Sequence, residues 1–203
     1  MSRADLFQLV QIVYWLALAT WFGGVLFVAM AAPAIFRTVR DNNPVLPHVL
    51  SVNLEGQHGT LLSGSIVGAL LARLVKIQLI CAAALLLAII AHFFLANLTG
   101  PNRTAAIIRT ALFFAAAAVS LYDGWMLWPQ IWRHRQEFID HADEPEVANP
   151  AKELFDRGQR RSVALLMSVL FLLLGVILFS GNITPRETHS GVPVRQGPAP
   201  TAK

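Results

Sequence analysis

Charged residues are distributed so unevenly along this chain that the apolar positions between them form four long segments. The first, Leu6 to Phe36, holds no Lys, Arg, Asp or Glu. About 20 apolar residues carry a helix across the hydrocarbon core of a bilayer, where no water satisfies backbone polar groups and only helices or closed barrels can span. The pattern predicts an all-α polytopic membrane protein, a four-transmembrane-helix bundle, with spans at about 6–36, 77–98, 104–132 and 162–180. Pro33 falls near the end of the first as a kink or stop. Residues 37–60 read as a loop broken by Pro44 and Pro47. Helical patterning resumes at Leu61, but Arg73 and Lys76 at mid-bilayer would cost roughly 2.5 to 3.5 kcal/mol each, so Leu61 to Val75 is assigned to an interfacial extension. Gly100-Pro101-Asn102 predicts a tight turn, and Asn149-Pro150 a cap and first position leading into the last span. One membrane domain, 1–182, is followed by a Pro-, Thr- and Gly-rich tail, 183–203, expected to be disordered.

Composition changes this picture little: 55% of the 203 residues are hydrophobic and 14% charged, against about 25% charged in a soluble domain. The net charge of +4 gives no basic face for nucleic acid, because Lys and Arg are scattered over the connections. They act instead as topology signals. Arg37, Arg40, Arg73, Lys76, Arg133, Arg135, Lys152, Arg157, Arg160 and Arg161 share one side, and Arg3, Arg103, Arg109, Arg186, Arg195 and Lys203 the other. The positive-inside rule then puts both termini in the periplasm of a bacterium, with the protein in the inner membrane. Trp125, Trp128 and Trp132, beside Arg133, read as one stripe of interface anchors. The first segment is too long for a signal h-region and reads as a retained helix. Cys81, the single cysteine, offers no intrachain disulfide.

Polar groups inside the spans are few. Asp123 lies near the end of the third, where Arg160 and Arg161 open the fourth; it is either a structural ion pair or a proton or cation site. His92 is close in depth to Arg109 and far from Asp123, and reads as a lone satisfied histidine. No second histidine shares a spanning face with it, so no metal ligand set and no cofactor is predicted, and no catalytic constellation can be read. Gly64, Gly68 and Ala72 recur every four residues, a small face that lets helices approach closely, within the chain or against a partner.

Trp21-Phe22-Gly23-Gly24 followed by Ala32-Pro33-Ala34-Ile35-Phe36 resembles the opening of the transmembrane protein 205-like family, catalogued in bacteria as a domain of unknown function. Trp125-Met126-Leu127-Trp128-Pro129 and Phe155 through Ser162 are similar to that family's later segments, so that the resemblance covers about residues 5 to 180. It implies a four-helix membrane protein and, for animal members, a link to platinum-drug tolerance. A histidine usual in the last segment is Gln159 here. The membrane protoporphyrinogen oxidase and copper-resistance protein D families share the Trp-x-Gly-Gly helix, but where they carry a histidine this chain has Tyr14. The resulting expectation is a non-catalytic accessory or structural protein packing against the lipid bilayer and against another membrane protein or itself. The alternative is a small transporter, efflux or tolerance factor for a metal or drug, using Asp123 and Gln159. A haem-binding redox subunit comes third, for want of ligands.

Overall fold

A computed structural model describes residues 3–42, 44, 58–96, 101–181 and 183. It is all-helical, with four helices long and apolar enough to cross a membrane. These are α1 (Arg3–Asp41), α2 (His58–Leu95), the third rod, and α5 (Pro145–Leu178). The third rod is continuous but composite: α3 (Pro101–Tyr122), a π-helical turn (Asp123–Leu127) and α4 (Trp128–Asp140).

Every rod outruns its apolar segment. α1 passes through Pro33 and ends five residues beyond Phe36, and α2 starts before Leu61, so Leu61 to Val75 and the span after it form one helix. Pro150 lies inside α5, which begins at Pro145 behind Glu144; the cap predicted at Asn149 is not the helix start. The hydropathy pattern marks only the part of a helix that needs an apolar solvent, whereas backbone hydrogen bonding continues into polar sequence wherever propensity allows. The third and fourth rods accordingly run on as a helical hairpin closed at residues 141–144, where the His141 amide donates to Glu137 O and the Glu144 amide to His141 O. Phe138, Ala142, Ala148 and Ala151 bury a small second core there against Leu61. Of the predicted disordered tail only Ile183 is described, packed against the main core, and of the Gly100 turn only Pro101 and Asn102, which open α3; the rest lies outside the described residues.

The main core joins α1, α2, α3 and α5 around Tyr14, Leu18, Trp21, Leu85, Phe113 and Leu173. α1 packs along α2, α3 and α4 pack along α5, and α1 also touches α5, but α2 and α3 meet only sparsely. The bundle is thus a ring with one weak seam. Beyond that seam α2 and α4 are pinned by Arg135, whose Nη2 donates to Leu61 O at 3.1 Å and to Ser65 Oγ at 2.7 Å.

Candidate functional site

Two buried polar groupings stand out, at opposite ends of the core. The first centres on the π turn. Pro129 has no amide to give and its ring crowds the carbonyl four residues earlier, so a helix entering it must widen or kink. Here it widens: the Trp128 amide donates to the Asp123 carbonyl, five residues back. Gly124 supplies the closeness this needs, since a Cβ at that position would lie 3.0 Å from Val75 Cγ1 on α2. π turns occur often at functional sites.

Asp123 opens that turn. Its Oδ1 is buried without a hydrogen-bond partner among the described residues, and the buried Ser162 of α5 is its polar neighbour. Among the described residues no ion pair reaches it. The pairing expected with Arg160 or Arg161 is corrected: both arginines are exposed and neither pairs with Asp123, and Ser162, the next residue along α5, is the one buried in the bundle. One residue turns a helix by about 100°, which is enough to exchange a guanidinium for a hydroxyl.

Asp123 borders a void of about 10 Å³, the space of one water, together with Leu71, Val75, Gln78, Gly124 and Trp128. That void lies between two larger cavities. One, of about 540 Å³, opens among α1, α2, α4 and α5; it shares Leu71, Trp128 and Leu166 with the void and is lined also by Pro33, Gly64, Gly68, Trp132, Gln159 and Ser162. Asp156, Arg160 and Arg135 supply its charged edge. The other, of about 350 Å³, is the gap in the α2–α3 seam; it shares Val75, Gln78 and Gly124 with the void, and Trp21 forms its floor. Trp21 Nε1 and Ser120 Oγ are buried there with no partner.

The tryptophans do not form one stripe. Trp128 and Trp132 stand together, rings 6.4 Å apart, while Trp125 is 76% exposed and borders the seam cavity. The π turn absorbs one residue, so Trp125 and Trp132 stand as if six rather than seven apart, about 600° instead of 700° of helix. The paired indoles lie over Gly68, whose Cβ would be 3.5 Å from Trp128 Cη2. Gly68 is therefore covered within the chain, Gly64 lines the large cavity with nothing within 4 Å, and Ala72 is exposed. On α1, a Cβ on Gly24 would meet Leu74 Cδ1 at 3.0 Å, and Gly23 has open space.

The second grouping joins His92, Tyr14, Arg109 and Ser180. Tyr14 is fully buried, its hydroxyl 2.6 Å from Ser180 Oγ, and its ring lies 5.4 Å from the His92 ring and 5.4 Å from Arg109 Cζ. His92 is fully buried and neither ring nitrogen has a partner, so the expectation of a satisfied histidine is corrected. Its shared depth with Arg109 was readable from helix rise; the role of Tyr14 as the ring between them was not, because depth leaves rotation about the helix axis undetermined. The chain matches no family profile, no curated protein and no solved structure.

Proposed function

We propose that this is a small multi-pass protein of the bacterial inner membrane, with both termini periplasmic, that binds and passes an organic cation through the Asp123 site without catalysis of its own. The observation that carries the reading is a carboxylate with one oxygen buried and no cationic partner among the described residues, set between two cavities. An intramembrane carboxylate is costly to keep and marks ion or substrate paths when nothing structural neutralises it. A cavity of about 540 Å³ is within the ordinary range for small-molecule sites. Its Trp128–Trp132 wall suits a cation: Arg135 Cζ already lies over the Trp132 ring at 4.9 Å. This supports the transporter or tolerance-factor alternative over the accessory role, because Gly68 is occupied by the chain's own tryptophans. Packing against another membrane protein, or a second copy, would rest on Ala72 and the exposed apolar faces alone.

Rhodamine 6G, a fluorescent organic cation, tests this with the full chain in lipid nanodiscs. Asp123→Asn keeps the shape and removes the charge; it should weaken binding by about tenfold or more, as should Trp128→Leu. Equal affinity of wild type and Asp123→Asn would sink the proposal.

A further inference from the structure

Asp123 has two approaches, and they differ in kind. The large cavity ends in charged residues, Asp156, Arg160 and Arg135, and so faces the polar end of the bundle. The seam cavity has an apolar rim, with Leu79, Leu121 and Trp125 all well exposed, and it lies at mid-length of two rods apolar enough to cross a membrane. It is a window with a frame. Arg135 ties α4 to α2 beyond one end, and at the other only residues 96–100 separate α2 from α3 in the chain. Small side chains, Ala82 on α2 and Ala117 on the third rod, leave the gap between them, and Gly124 against Val75 closes its inner end.

From the apolar rim, the window leads inward through groups of rising polarity. Ser120 Oγ and Trp21 Nε1 come with no hydrogen-bond partner, then Gln78, 6% exposed, and then the void that Gln78 shares with Asp123. Hydrocarbon filling the window would leave these atoms unmatched, at a cost no folding requirement explains. A molecule that is apolar on one side and carries N–H and carbonyl groups on the other would match them. We infer that the cation reaches Asp123 sideways out of the bilayer, through the α2–α3 window, and that the substrates are amphiphilic amines that partition into lipid rather than small hydrophilic ions. The inference rests on the proposed reading of the Asp123 site and adds its route and its class of substrate.

The route is a kinetic property, so its test is kinetic. Ala117→Phe and Ala82→Leu narrow the window from opposite walls without touching the carboxylate. Rhodamine 6G, which partitions into bilayers and carries both N–H donors and an ester carbonyl, is mixed with the full-length protein in nanodiscs and its binding and release are followed by stopped flow. A blocked route raises one barrier for both directions, so association and dissociation should each slow by about tenfold while the equilibrium constant stays within about twofold. Because two walls are altered separately, a variant that fails to fold leaves the other to decide. Wild-type rates in the folded variants would overturn the route, as would a loss of affinity with unchanged association, which would make the alanines contacts instead of a passage. Binding that ignores Asp123→Asn overturns the underlying site, and the route falls with it.

Discussion

Ser180→Ala should destabilise the bundle more than Tyr14→Phe, although both delete the same hydrogen bond between α1 and the end of α5. The Tyr14 hydroxyl lies 2.6 Å from Ser180 Oγ, and the serine hydroxyl itself donates to the Val176 carbonyl. A serine has one hydroxyl proton, so the tyrosine is the donor to it. In Tyr14→Phe the serine keeps its own bond to the backbone and loses only an incoming one. The expected loss is about 1 kcal/mol, or nearer ~0.6 kcal/mol if an apolar surround gives both groups other partners when unfolded. In Ser180→Ala a phenolic O–H that is fully buried is left with no acceptor, at about 1–3 kcal/mol. Removing both groups should be milder than Ser180→Ala alone, because nothing polar is then stranded. Titration of the detergent-solubilised protein with SDS, followed by far-ultraviolet circular dichroism, gives the four stabilities. A double variant no more stable than Ser180→Ala would refute the assignment of donor and acceptor.

Asp123→Leu should leave stability unchanged or raise it by up to about 1 kcal/mol, since no arginine is stranded when the carboxylate goes; a large loss in the same titration would restore the ion pair. Gly158→Val should cost about 1–3 kcal/mol, because a Cβ there already falls 2.8 Å from Ile131 Cγ1, and Ile131→Ala in the same chain should recover part of the loss. Gly68→Ala should be tolerated and Gly68→Leu should displace Trp128 and Trp132, read as a shift in tryptophan emission that Gly64→Ala does not produce. With Cys81 replaced by alanine, an impermeant thiol reagent on intact cells should label a cysteine at Gly181 and not one at Asp143; the reverse would invert the orientation.

How far the sequence carried the fold follows from what each signal measures. Uncharged length located four helices because only apolar solvent demands it, and Leu6 to Phe36 could be nothing shorter. It put Arg37 to Asp41 in a loop, where α1 continues, and did not show the hairpin around residues 141–144, where polar sequence is helical for reasons of packing, such as Phe138 against Leu61. The candidate site was legible as a residue and not as a place. Asp123 was evident as a carboxylate in an apolar run, but the choice of Ser162 over Arg161 depends on one step of helix rotation. Gly124 with Pro129 five residues on was the available sign of the π turn. Trp21 packs T-shaped against Phe113 at 6.3 Å, and its unmatched Nε1 became visible only with the seam cavity.

The π turn also settles how the chain would respond to a change of length. An insertion or deletion in an ordinary long helix swings everything downstream by about 100° and ruins its contacts. In the third rod the surplus residue is already taken up between Asp123 and Leu127, so α3 and α4 are phased as though one residue were missing. Removing Met126 and replacing Pro129 with alanine lets this stretch close to an ordinary α-turn while Phe113 still faces Trp21 and Ile131 still faces Gly158. The widened turn that holds Asp123 beside its void would then disappear from an otherwise unaltered scaffold. In evolutionary terms the bundle and its site are separable by two codons.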